Sequence, residues 1–131
     1  MATAGVEFSV HVVGETSGET FSGKFKVKDR LSHRDKLMRD ERRRVILGSK
    51  SDEAPVWAQK YAEVFSQLDI RVIEAPSWWK ENGLGLDLED DNVIVEVYNK
   101  TMKVEEEFLA RRNADTDKAK AEVEKVVEEP K

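Results

Sequence analysis

VEFSVHVV at residues 6–13 and TFSGKFKVK at residues 20–28 alternate apolar and polar side chains with the period of a half-buried strand. Val6, Phe8, Val10 and Val12 share one face of the first segment, opposite Glu7, Ser9 and His11. Phe21, Gly23, Phe25 and Val27 repeat the pattern against Thr20, Ser22, Lys24, Lys26 and Lys28. The turn-rich stretch from Gly14 to Glu19 joins them, so residues 6–28 read as a hairpin with a loop longer than two residues. Such a hairpin is marginal in water on its own, and its Val/Phe face calls for cover from the helices that follow. Both strands are expected to be edges. The lysines of the second discourage indiscriminate pairing, which leaves Val6, Phe8 and Val10 as the place where a partner strand would add.

Helical patterning takes over after the hairpin. Ser32 is placed to cap a helix over about residues 32–47, with Asp35 near the capping-box position, Leu31 as a staple and Gly48 as the stop. Its apolar content is Leu37, Met38 and Val45 to Leu47, and Arg39, Arg42, Arg43 and Arg44 charge the other faces. A solvated helix lying over the core by one narrow stripe is expected. A polar link at residues 49–53 leads to a second helix, over about 53–74, with Pro55 in its first turn. Trp57, Tyr61, Val64, Phe65, Leu68 and Val72 recur at helical spacing and mark it as the central core element, ending before Ala75-Pro76. A loop with Trp78, Trp79 and the turn signal Asn82-Gly83 follows. Val93, Val95 and Val97 alternate like a strand, but the longer pattern through Val104, Phe108 and Leu109 favours a helix over about 91–112. Residues 113–131 form a charged tail, helical or disordered, with a weak stripe of Val123, Val126 and Val127. The expected architecture is a single α+β domain over residues 1–112, an N-terminal antiparallel hairpin packed on about three helices.

The chain has 131 residues, 22 basic and 27 acidic, for a formal net charge of −5. That balance argues against general nucleic-acid binding, which needs a clustered positive field. The absence of cysteine removes disulfides, thiol nucleophiles and cysteine-ligated metals. The first residues, MATAG, lack the basic region of a signal peptide. No apolar run approaches the about 20 residues that span a bilayer. A soluble chain without a membrane partner is the expectation.

No catalytic or cofactor constellation emerges. His11 and His33 stand apart without partners at ligand spacing. Asp87, Glu89 and Asp91 have the spacing that opens a calcium loop, but Asn92 stands where its glycine belongs and Tyr98 where its last glutamate belongs. Ser32 and His33, adjacent in sequence, would point in different directions on a helix. Gly83 and Gly85 lack the third glycine and flanking elements of a dinucleotide loop. Trp78 and Trp79 could anchor a protein contact, or one ring could close the core. Arg42 and Arg43 could meet an acidic partner, although Asp35, Asp40 and Glu41 offset them.

The segments GETFSGKFKVK (18–28), RLSHRDKLMRDERRRVILG (30–48), IEAPSWW (73–79) and GLDLEDDNVIVEVYNK (85–100) resemble small proteins encoded among tailed-phage virion genes. The similarity spans roughly residues 6–110 and points to the tail-assembly chaperone type or to a small structural component of the particle. The resemblance implies a non-enzymatic protein without cofactors. Its partners would be other phage proteins, such as tape-measure, tail-tube or capsid subunits, with homo-oligomers a further option. It would act in the host cytoplasm during assembly, or in the virion itself if it is a head, neck or tail subunit. Many tail-assembly chaperones are predominantly helical, so the opening hairpin raises the structural alternative beside the leading chaperone reading.

Overall fold

The computed structural model describes residues 5–48 and 53–128. The polar link at 49–52 and the last tail residues, 129–131, lie outside the described residues. The chain adopts the expected α+β class. In order it forms β1 (Gly5–Val13), β2 (Thr20–Lys28), α1 (His33–Leu47), α2 (Val56–Arg71), β3 (Val72–Glu74), α3 (Ser77–Glu81) and α4 (Asp91–Glu128).

β1 and β2 pair antiparallel from Gly5↔Lys28 to Val13↔Thr20. Alternation then turns Val10, Phe21, Phe25 and Val27 inward, all buried. The hairpin is not left with two edges, however. β3 pairs antiparallel with the free side of β2, giving the order β1-β2-β3 and making β2 central. The second helix therefore stops at Arg71, three residues short of the expected end. Val72 and Ile73 are β-branched, Pro76 disfavours helix in the residue before it, and the open side of β2 offers the backbone hydrogen bonds that the helix would have supplied.

Phe25 is fully buried and organises the core. Phe8 stacks on it with ring centroids 5.5 Å apart, while Trp78 and Trp79 meet it edge-on at 5.7 and 5.4 Å. Trp79, 1% exposed, sits on the short helix α3 rather than on a loop. Its ring lies so close to Gly85 (φ +93°) that a Cβ there would fall 2.5 Å from it, so glycine serves both the backbone conformation and the fit. α4 lays Val93, Val97, Thr101 and Val104 against the sheet at helical spacing, leaving Val95 outside, which selects helix over the strand-like alternation of residues 93–97. α2 packs on α4 and β3, and α1 packs mainly on α2, with Asp35 paired to Lys28 of β2 at 2.9 Å.

Two expectations about the helices need correction. Trp57 and Tyr61 are not core rings but 66% and 42% exposed; the apolar residues of α2 that reach the core, Ala62, Phe65 and Leu68, lie further along the helix. None of the residues of α1 is buried, and Leu37, Met38 and Val45 face outward, because the helix rests on α2 through half-buried Arg42 and Ile46. The Ser32–Asp35 capping box is present, with the Asp35 amide donating to Ser32 Oγ at 3.1 Å and the Ser32 amide to Asp35 at 3.0 Å. α4 continues past residue 112 to Glu128. Nothing between Asn113 and Glu128 breaks a helix, and the composition is rich in alanine, lysine and glutamate.

Two polar ties hold these layers in place. Asp90, 1% exposed, precedes α4, and its carboxylate accepts from the Thr16 amide (2.7 Å), the Ser17 amide (2.8 Å) and Ser17 Oγ (2.7 Å). A Cβ on Gly14 would lie 2.4 Å from that carboxylate, so the hairpin loop closes on it only with glycine there. Buried Arg71 donates from Nε to Gln67 Oε1 at 2.9 Å and from Nη1 to the Glu105 carboxylate, joining α2 to α4.

Phe25→Ala or Trp79→Ala should each cost about 3–5 kcal/mol in urea denaturation, the range for large core rings. Trp57→Ala should stay within about 0.5 kcal/mol, as a surface substitution does. The hydrogen bonds from the Ser17 hydroxyl and amide hold the Asp90 carboxyl below its ordinary range against the opposing effect of burial. The stabilisation is thus fully present above about pH 4, the unfolded carboxyl range, and is lost as pH falls through the lower folded value. Comparing denaturation of the wild type and Asp90→Asn from pH 7 to pH 2 should show a stability gap that narrows only below about pH 4.

Candidate functional site

The exposed part of α2 forms one wall of an open apolar groove of about 730 Å³. Trp57, Tyr61 and Phe65 are spaced four apart and so share one side of the helix. Trp57 meets Tyr61 edge-on at 6.1 Å, and Tyr61 stacks on Phe65 at 6.4 Å. Opposite them lie Ile46 and Leu47 from the end of α1, Leu86 and Leu88 from the segment before α4, and Ile94 from the first turns of α4. The groove therefore exists because three elements converge without filling the space that the aromatic wall faces. A series of positive φ values at Gly83 (+61°), Leu84 (+58°) and Gly85 (+93°) turns the chain between α3 and α4, and the Leu86–Leu88 segment follows directly.

The rim is acidic. Glu53 and Asp91 line the groove, and Tyr61 Oη donates to the Asp91 carboxylate at 3.1 and 3.2 Å. That hydrogen bond to the carboxylate raises the Tyr61 pKa above its ordinary value, so at neutral pH the hydroxyl is a donor. Exposed apolar surface with carboxylates at its edge suits an apolar segment carrying basic flanks.

The residues singled out in the sequence are scattered rather than gathered. Trp79 is sealed in the core and offers a partner no surface. Trp78 is half-buried, with its indole N–H donating to the Ser22 carbonyl at 2.9 Å. Val6, Phe8 and Val10 point inward, packed in or against the core. The Gly14 amide donates to the Glu19 carbonyl at 2.8 Å, so by alternation the odd-numbered residues of β1 aim their backbone groups at the outer edge. α4 already occupies part of that edge: Lys100 Nζ donates to the Ser9 carbonyl at 2.7 Å and Asn92 Nδ2 to the Val13 carbonyl at 2.8 Å. Arg42 pairs with Asp69 at 2.8 Å, and Arg43 with Asp40 at 3.3 Å.

His11 and His33 are both exposed and lie on different elements. Within the calcium-like stretch 87–91, Asp90 turns into the hairpin loop and Asp91 accepts from Tyr61. Among the described residues, no group of three or more His, Cys, Asp or Glu side chains could hold a metal ion. No helix among them is long and apolar enough to cross a membrane.

Helical periodicity places Trp57 and Tyr61 in the core beside Phe65, where only Phe65 is buried, and it does not mark Leu86, Leu88, Asp91, Ile46 and Leu47 as lining residues. The available signal was the width of the apolar arc on α2, which runs from Trp57 round to Ala62 and exceeds what one buried stripe requires. Compared with known proteins, the chain matches no family model, no curated protein and no solved structure.

Proposed function

We propose that this chain is a non-enzymatic docking protein whose groove receives an apolar segment of another protein subunit. Trp57 carries the reading: a tryptophan left 66% exposed on the wall of an apolar groove is the kind of anchor that dominates protein interfaces. The polar groups at the groove are Glu53, Tyr61 and Asp91, and the last two are engaged with each other. They suit orientation of a docked chain better than proton transfer. The resemblance to tailed-phage virion proteins supplies the setting. In it, the protein acts as a tail-assembly chaperone, docking on tape-measure or tail-tube subunits in the host cytoplasm. The alternative is a head, neck or tail subunit retained in the particle, favoured by the sheet that opens the chain.

A photo-crosslinking residue in place of Ala58, at the groove, should capture the partner, identified by mass spectrometry of the adduct. Replacing Trp57 by serine should weaken that partner's binding by about 2 kcal/mol, roughly 30-fold in Kd, with little change in folding stability. Adducts with tape-measure or tail-tube protein, and absence from mature particles, support the chaperone. Stoichiometric copies in particles support the structural subunit. Loss of binding on blocking the sheet edge at Ser9, with Trp57→Ser inert, would overturn the groove.

A further inference from the structure

We infer that in the free protein the groove receives helix α1 of a second copy of this chain, for which a phage partner would compete; the inference rests on the groove being a docking site. α1 leaves Leu37 73%, Met38 49% and Val45 61% exposed, three large apolar side chains on one helix with no buried residue. Helical spacing gathers them, with Arg34 and Glu41, into one stripe. That stripe belongs to a net basic helix in an acidic chain: α1 carries six lysines and arginines against three acids, while the net charge is −5. The groove has the complementary character, apolar walls rimmed by Glu53 and Asp91.

The lengths also agree. Leu37 to Val45 is eight residue steps, about 12 Å of helix, and Trp57 to Phe65 spans the same. The two surfaces are distinct parts of the molecule. Val45 lies about 200° round the helix from Leu47, which lines the chain's own groove. A copy that offers its α1 stripe to one neighbour keeps its groove open to another. Contact of this head-to-tail kind closes into a ring or grows into a filament, instead of stopping at a two-fold dimer.

Sedimentation velocity of the full chain over a wide concentration range tests this. The wild type should form species larger than a dimer. Leu37→Asp, which spoils the stripe, and Trp57→Asp, which spoils the groove, should each lower the association constant at least about tenfold, the effect of losing a modest interface anchor. Both positions are exposed, and thermal unfolding of each variant verifies that it remains folded. An equimolar mixture of the two variants should form a dimer and stop there, since one supplies the groove and the other the stripe. Failure of the mixture to associate overturns the inference. So does a wild type that remains monomeric, and in that case adducts of the crosslinker at position 58 with another protein would leave the groove itself standing.

Discussion

The apolar face of a small sheet has to be roofed before anything else in such a chain can be stable, and here the roof is built around Phe25. Its ring is fully buried between Phe8 on the neighbouring strand and the two tryptophans of α3. Much else follows from that requirement. Pro76 starts α3 beside the sheet, Gly85 makes room for Trp79, and the turn through Gly83 to Gly85 brings the chain round so that α4 can cover the remaining face. The short strand β3 is placed in the same way, because α2 must end where the chain crosses back to the sheet.

Polar ties then fix the arrangement that burial alone would leave loose. Asp90 is sheltered and charged, and it is tolerated because three donors from the hairpin loop converge on it. Arg71 has a comparable position between α2 and α4, with Gln67 holding one side of the guanidinium and Glu105 the other. Removing Glu105 would strand the buried Arg71 charge, and removing the loop donors would leave the Asp90 carboxylate unsatisfied.

The hairpin was legible because its period of two coincides with an actual buried face, and the start of α4 because Val93, Val97 and Val104 follow the helical period. β3 was not. Residues 72–74 continue the helical pattern of α2, and only the free edge of β2, a tertiary partner, turns them into strand. The groove was hidden for a related reason. Periodicity identifies which side chains share a side of a helix, but it does not tell whether that side meets the core or an unfilled space. Trp57 and Phe65 look equivalent in sequence, yet one is 66% exposed and the other 9%. Trp78 and Trp79 illustrate the same point, since Trp79 is sealed against Gly85, six residues along the chain, while Trp78 lies against β2 at Ser22 and Gly23.

α4 is one continuous helix held in two different ways. Its first turns bury Val93, Val97, Thr101 and Val104, whereas residues 109–120 present only exposed side chains. Backbone hydrogen bonds in the first part break only when the sheet loses its cover. Those in the second open by fraying, with no core to resist. Amide exchange along this single helix therefore reads two quantities, the free energy of the whole fold near Val97 and that of an isolated helix beyond Leu109. Shortening the chain from its C-terminal end as far as Asn113 removes helix without removing any buried side chain among the described residues.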